Sequence, residues 1–172
     1  MSVKKILTEP NKLLRQVSKS VDKVGDEERM LMDDMLDTMY DAPGIGLAAI
    51  QIGAPKRIIV MDISRDGEKK EPRYFVNPVI KNRNKEKVKY EEGCLSVPDQ
   101  FAEIERPNTC EVEYLDYNGK KQSLKADGLL ATCIQHEMDH LEGILFIDYL
   151  SKLKKSIIIK KLSKLKMNRK IL

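Results

Sequence analysis

Residues 129–142 read LLATCIQHEMDHLE, and this segment decides how the rest of the sequence is interpreted. Its pattern is typical of a helix, and Gly143 directly after it predicts where that helix ends. His136 and His140 are the only histidines in the chain. Residues four apart share one face of a helix, so the two imidazoles can bind one metal ion. Glu137 is offset by one position and points beside the ion, where it can accept a proton from water.

A catalytic metal site needs a third protein ligand and an open position for water. The zinc-protease pattern HExxHxxGxxH would require histidine at position 146, which is Phe146, so the ligand must be Cys, Asp or Glu. Cys133 shares the helix face, but it lies roughly 7 Å from the ion along the helix axis, too far for a short side chain. Cys110 falls on the apolar face of a predicted strand, where free cysteine usually packs as a small hydrophobic residue. Cys94 stands in EEGCLSVP, whose glycine and proline allow a turn that directs the thiolate outward, and it is the favoured ligand.

The composition predicts a soluble protein of one domain. The chain has 172 residues, of which 41% are hydrophobic and 34% charged. No apolar run approaches the roughly 20 residues of a membrane span, and the N-terminus lacks the features of a signal peptide. Three cysteines without paired spacing argue against a secreted disulfide framework. We therefore expect a cytoplasmic protein that does not associate with a membrane.

The positive charge of the chain is concentrated in its last 22 residues. Residues 151–172 contain nine Lys or Arg and no Asp or Glu, so subtracting nine from the net charge of +4 leaves −5 for residues 1–150. We expect a body at 1–150 and a basic C-terminal helix or tail of the same domain at 151–172. Apolar residues recur there at roughly helical spacing and predict a face that packs on the body: Leu153, Ile157, Leu162 and Leu165.

The remaining pattern predicts an α+β fold. A helix is expected over 26–41, followed by a loop at 44–46, and further helices over 129–142 and roughly 149–167. Strands are expected over 57–63, 74–80, 86–91 and 109–117, the last returning from residue 122 after a turn at Asn118-Gly119. Strands in hairpins with helices at both ends predict antiparallel or mixed sheets around a central helix that carries the HExxH motif.

Three stretches together resemble the bacterial peptide deformylase family: GIGLAAIQ at 44–51, EGCLS at 92–96 and QHEMDH at 135–140. The resemblance implies removal of the N-formyl group from the initiator methionine of new polypeptides. Glu137 would act as general base and then as general acid. The tetrahedral oxyanion would be held by the metal, the side-chain amide of Gln51 and the backbone N–H of Leu95.

The resemblance also implies an apolar slot that accepts the methionine side chain. Arg106 is a further substrate-binding candidate, as the cation near Phe101, a position that is often arginine in bacterial members. Two other positions, 90 and 132, depart from the family by replacing common aliphatic residues, so the slot is expected to be tighter or more polar. The candidates for the slot are Ile45, Gly46, Tyr90, Glu92, Leu129, Thr132 and Cys133.

Cofactor and partners follow from the same resemblance. One divalent ion per chain is expected, Fe(2+) in the cell, with Zn(2+), Ni(2+) or Co(2+) as alternatives that suit one thiolate and two imidazoles. The expected partners are a formyl-methionyl nascent peptide and, through the basic C-terminal helix, the ribosome. We expect a monomer of the bacterial cytoplasm without sequence-specific nucleic-acid binding.

Two other functions compete with this interpretation. A metallopeptidase could use a downstream carboxylate as third ligand, but Glu142 and Asp148 lie too close in sequence to reach round to the ion. A basic-tailed binding module could hold a structural metal. Glu137 beside an open coordination position argues against that module, because structural sites are normally filled by four protein ligands.

Overall fold

The computed structural model describes residues 2–171, and the side chains of residues 2–169. It contains three α-helices and seven strands, with all seven strands between the first and second helices, which confirms the predicted α+β class. The helices are α1 (Asp26–Asp41), α2 (Gly128–Leu141) and α3 (Lys152–Ile171). The strands are β1 (Gly46–Ala48), β2 (Ile58–Met61), β3 (Arg73–Arg83), β4 (Lys87–Cys94), β5 (Val97–Pro107), β6 (Thr109–Leu115) and β7 (Lys121–Asp127).

The strands form two antiparallel sheets. Five of them make one sheet in the order β1-β2-β3-β6-β7, and β4 and β5 make a separate two-stranded sheet. In the smaller sheet Cys94 pairs with Val97, so Leu95 and Ser96 form the connecting turn. The motif helix α2 follows β7 directly and lies against the larger sheet, with Ile134 and Leu141 buried beside Ile59 and Phe75. Cys94 lies on β4 and the two histidines lie on α2, and these two elements pack into different hydrophobic clusters.

Helix α1 covers the other side of β1 and β2. Its residues Met32, Met35 and Met39 are fully buried against Leu47 and Val60, because positions three and four apart form one apolar face. The first turn carries Asp26, Glu27 and Glu28, which suit the positive end of the helix dipole, and the Glu28 carboxylate accepts the N–H of Gly25 at 3.0 Å. The predicted bounds 26–41 are confirmed.

Helix α3 packs on the body through a face that only partly matches the predicted stripe. Ile158 and Leu162 are buried with Ile104 and Phe146, whereas Leu153 and Ile157 are 72% and 45% exposed. The predicted packing is therefore confirmed for Leu162 and wrong for Leu153 and Ile157. The buried positions are four apart and begin one residue after Ile157, so the packed face shares Leu162 with the predicted stripe and has Ile158 in place of Ile157.

The predicted strands are confirmed with shifted ends, and the Asn118-Gly119 turn lies between β6 and β7. Two strands were missed: β5, and β1, which begins at Gly46 inside the predicted loop. Among the described helices, none has both the length and the apolar character required to cross a bilayer.

Candidate metal centre and adjoining cleft

The three predicted metal ligands meet at one point. Cys94 ends β4, and His136 and His140 lie one turn apart on α2. One donor atom from each lies within 4.8 Å of the other two, and Cys94 Sγ is 3.3 Å from His140 Nε2. Bonds of about 2.0–2.3 Å at tetrahedral angles put neighbouring donors about 3.3–3.6 Å apart, so these side chains fit a divalent ion. One thiolate and two imidazoles suit zinc, iron, cobalt or nickel.

His136 is held from behind by a buried carboxylate. Its Nδ1 lies 2.8 Å from Glu92 Oε1, and Arg106 donates to both oxygens of Glu92, from Nε at 2.7 Å and from Nη2 at 3.0 Å. Burial would raise the pKa of Glu92, but the hydrogen bonds to His136 and Arg106 outweigh it and hold that pKa below its usual value. A carboxylate behind a metal-binding histidine fixes the ring orientation and tautomer and makes the ligand more basic.

The ion pair behind His136 continues to the protein surface. Arg106 Nη1 donates to Asp139 Oδ2 at 2.9 Å, and the Tyr149 hydroxyl donates to the same oxygen at 2.7 Å. The guanidinium also lies 5.0 Å from the centroid of the Tyr149 ring. Arg106 is 4% exposed and does not line the cleft. The structure therefore does not support the predicted substrate contact by Arg106, because both its charge and its donors are used within this network.

Glu137 lies at the centre with an unused oxygen. Its Oε2 is buried and has no hydrogen-bond partner among the described residues. Burial raises the pKa of Glu137 to about 7, and a divalent cation beside it would act in the opposite direction. A Cβ at Gly46 would lie 2.6 Å from Glu137 Oε1, so the missing side chain of Gly46 makes room for this carboxylate. Glu137 is thus placed beside the ligands and is not one of them.

Gln51 and Leu95 border the same point. The Gln51 side chain is oriented by Ala48, whose N–H donates to Oε1 at 2.9 Å, so its NH₂ group faces the centre. That group donates to Ser96 Oγ at 3.0 Å and lies 3.6 Å from Cys94 Sγ. Leu95 lies in the turn after Cys94, and within the described part of the chain its backbone N–H has no acceptor. Both groups are hydrogen-bond donors that border the cluster of candidate ligands.

A cleft of about 640 Å³ opens beside the centre. Phe101 lines this cleft. Its ring lies against Gly93, where a Cβ would be 2.5 Å from Phe101 Cε1. Glu92 lines the cleft, but its carboxylate points to His136 and Arg106. Its role is therefore to hold His136 in place. All the residues predicted for the slot line this cleft: Ile45, Gly46, Tyr90, Glu92, Leu129, Thr132 and Cys133.

The other two cysteines lie outside the ligand cluster. Cys133 Sγ is directed to the carbonyl oxygen of Ile45 at 3.9 Å, and burial raises the pKa of its thiol well above the usual value. Cys110 is buried in the core beneath the larger sheet, and burial raises its pKa as well. Neither thiol has the thiolate character of a metal ligand.

The downstream carboxylates considered for a metallopeptidase are engaged elsewhere. Glu142 Oε1 accepts from Arg57 at 2.8 Å, and Asp148 pairs with Arg15 and Lys155. Neither belongs to the ligand cluster. This removes the structural basis of that alternative.

Sequence reasoning missed three supporting residues: Ser96, Asp139 and Tyr149. Ser96 fixes the Gln51 amide, and Asp139 with Tyr149 completes the pairing of Arg106. Asp139 lies inside the QHEMDH motif, so its position was a usable signal. Tyr149 offered none, because its contact with α2 depends on how the chain turns after Gly143.

Comparison with known proteins gives concordant matches. A family model described as polypeptide deformylase matches residues 3–156. The peptide deformylase of Pelagibacter ubique (strain HTCC1062) is 88% identical over 169 residues, which cover 98% of each chain. The peptide deformylase of Phenylobacterium zucineum (strain HLK1) is 60% identical over 164 residues, which cover 95% of this chain and 97% of that protein.

Solved structures agree with these matches. The crystal structure of peptide deformylase from Ehrlichia chaffeensis superposes with a TM-score of 0.91 at 45% sequence identity, covering 96% of this chain and 97% of that chain.

Proposed function

The chain belongs to the polypeptide deformylase family and is a hydrolase that removes the N-formyl group from nascent polypeptides, and from that premise we propose how its own residues perform the reaction. Cys94, His136 and His140 hold the metal ion on which the family depends, and Glu137 is the general base. The observation that supports this most is the convergence of the three donor atoms within 4.8 Å beside the unpartnered Oε2 of Glu137.

When bound, a divalent ion at this site supplies Lewis acidity, which lowers the pKa of water and polarises a carbonyl. Glu137 takes the proton of the attacking water through Oε2, and the water oxygen adds to the formyl carbon. The C–N bond then breaks, and Glu137 returns that proton to the leaving nitrogen, which gives formate and a free amine. General acid–base catalysis of this kind contributes about 10²- to 10⁴-fold.

The negative charge that develops on the formyl oxygen is stabilised by two donors from this chain. The Gln51 amide is held by Ala48 and Ser96 with its NH₂ group toward the centre, so it needs little reorganisation during the reaction. The backbone N–H of Leu95 supplies the second donor. Preorganised donors of this kind are worth about 10²- to 10³-fold each in comparable hydrolases.

The cleft beside the centre holds the start of the substrate. Its lining combines exposed apolar side chains, among them Ile45 and Leu129, with the buried Thr132 and Cys133. This matches a methionine side chain, which is long, flexible and apolar. Phe101, which is mostly exposed at the cleft, would contact the residues that follow the methionine.

The resident ion in the cell is proposed to be Fe(2+), with Zn(2+), Ni(2+) or Co(2+) able to replace it. A mixed thiolate and imidazole set accepts all four, so availability decides which is bound. The test is metal analysis of protein purified without oxygen, compared with protein purified in air. Iron retained only under anaerobic conditions supports the proposal, and zinc at one ion per chain in both contradicts it.

The chain is proposed to act as a cytoplasmic monomer whose basic helix contacts the ribosome, with residues 1–150 as the catalytic body and 151–172 as its terminal helix. A helix with nine cations and no acid favours a polyanion, and such contacts weaken steeply with salt. Lys155 is paired with Asp148, but Lys160, Lys161 and Lys164 are exposed on α3.

The ribosome contact is best tested by charge removal, because truncation would also remove the buried Ile158 and Leu162. A variant with Lys160, Lys161 and Lys164 changed to Gln should deformylate short peptides normally and lose salt-sensitive co-sedimentation with ribosomes. Equal co-sedimentation of variant and wild type at low salt would contradict the proposal.

The deformylase activity itself is tested by formate release from a formyl-Met peptide, with the acetyl-Met peptide as matched control. The acetyl group adds a methyl to the carbonyl carbon and should be a much poorer substrate. Formate release that follows metal content supports the assignment, whereas cleavage of the internal peptide bond would indicate a peptidase.

A further inference from the structure

Thr132 lies where the cleft meets the metal centre. It precedes His136 by four residues on α2, so the two side chains share one face of the helix, about 6 Å apart along its axis. Thr132 is 4% exposed and lines the cleft next to Cys133. A methionine side chain spans about the same distance between its amide nitrogen and its sulfur. A substrate whose formyl group faces the metal ligands would therefore carry its sulfur to the level of Thr132.

The hydroxyl of Thr132 is buried and unpaired. Its Oγ1 has no hydrogen-bond partner among the described residues. In a helix such a hydroxyl commonly donates to the carbonyl four residues earlier. Thr38 does so to Asp34 at 2.6 Å, and Ser163 does so to Ile159 at 3.1 Å. Thr132 makes no such bond to Gly128, so its O–H remains available to a group inside the cleft.

We propose that Thr132 is a specificity-determining residue, which donates a hydrogen bond to the thioether sulfur of the substrate methionine. The inference rests on the proposed function and names the group that this cleft selects. Thioether sulfur is a weak acceptor, and a bond to it relieves the unpaired hydroxyl. A purely apolar slot would discriminate poorly between methionine and a straight-chain side chain of the same length. The thiol of Cys133 is directed to the carbonyl of Ile45, so it does not replace this donor.

The test compares formyl-Met and formyl-norleucine peptides, which differ at the sulfur atom only. In Thr132→Val the shape is kept and the hydroxyl is lost, so the ratio of kcat/KM for methionine over norleucine should fall about three- to tenfold, as expected for one neutral hydrogen bond. Thr132→Ser restores the hydroxyl and should recover most of the ratio. Cys133→Ala alters the same cleft without removing the proposed donor. It should change kcat/KM for both substrates by a similar factor.

The outcomes separate this inference from the function on which it rests. Formate release by the wild-type chain from either peptide tests the deformylase activity, independently of the ratio. An unchanged ratio in Thr132→Val, or a fall that Thr132→Ser does not recover, would overturn the role of the hydroxyl. The metal content of each variant is measured as a control for an intact metal centre.

Discussion

Replacing Glu92 with glutamine should weaken both the metal centre and the fold. Oε1 of Glu92 contacts His136 Nδ1 and Arg106 Nη2, and Oε2 accepts from Arg106 Nε. Glutamine has the same shape but one acceptor oxygen. If the amide oxygen takes the place of Oε1, the NH₂ group faces Arg106 Nε. If it takes the place of Oε2, the NH₂ group faces His136 Nδ1 and Arg106 Nη2. Either orientation sets donor against donor and leaves Arg106 with the charge of Asp139 alone.

The magnitudes follow from the burial of this pair. Glu92 is 6% and Arg106 4% exposed, so water cannot replace the lost partner. Removing one member of a buried ion pair lowers the free energy of unfolding by about 3–5 kcal/mol. Because glutamine retains one amide oxygen, we expect Glu92→Gln to lower it by about 3 kcal/mol. Loss of the partner of a metal-binding histidine lowers metal affinity about 10- to 100-fold, and we expect the lower end of that range for the same reason.

The assay combines chelator competition for the bound metal with urea unfolding. Asp139→Asn is the matched control, because Asp139 pairs with Arg106 and does not contact His136. The control should lower the free energy of unfolding while changing metal affinity less than Glu92→Gln does. Wild-type metal affinity in a folded Glu92→Gln protein would refute the assigned role of Glu92.

Three further predictions address the ligands, the base and the terminal helix. Cys94→Ala should empty the metal site, whereas Cys133→Ser should keep about one ion per chain by metal analysis; depletion in the folded Cys133 variant would contradict the ligand assignment. Gly46→Ala puts a methyl 2.6 Å from the carboxylate of the general base, so formate release should fall about 10²-fold with metal retained. Ile158→Ala should lower the free energy of unfolding by about 2 kcal/mol or more and its exposed neighbour Ile157→Ala by about 0.5 kcal/mol or less; equal effects would place the packed face elsewhere.

The cluster of three candidate ligands could be predicted from the sequence because local geometry determines most of it. Two histidines four apart on one helix share a face wherever that helix packs. Cys94 followed from excluding Cys133 by its distance along the axis and Cys110 by its apolar strand, and the structure places both outside the cluster.

The support behind the ligands could not be predicted in the same way. Strand β5 was missed because its sequence VPDQFAEIERP has proline near both ends and charged residues on both faces. In the structure Ile104 and Arg106 face inward, and Arg106 is buried only because Glu92 and Asp139 match its charge. A pairing across a hairpin and onto a separate helix leaves no periodic signal. The burial of Ile158 in place of Ile157 has the same origin, since the core partners of α3 come from β5 and from the segment after Gly143.

The central claim is that Glu137 transfers the proton at a metal centre formed by Cys94, His136 and His140. The most direct measurement is formate release from a formyl-Met peptide by Glu137→Gln and wild-type protein, each prepared without oxygen and each analysed for metal. We predict equal metal content and a loss of about 10²- to 10⁴-fold in turnover. Near wild-type turnover by Glu137→Gln with its metal bound would contradict the mechanism.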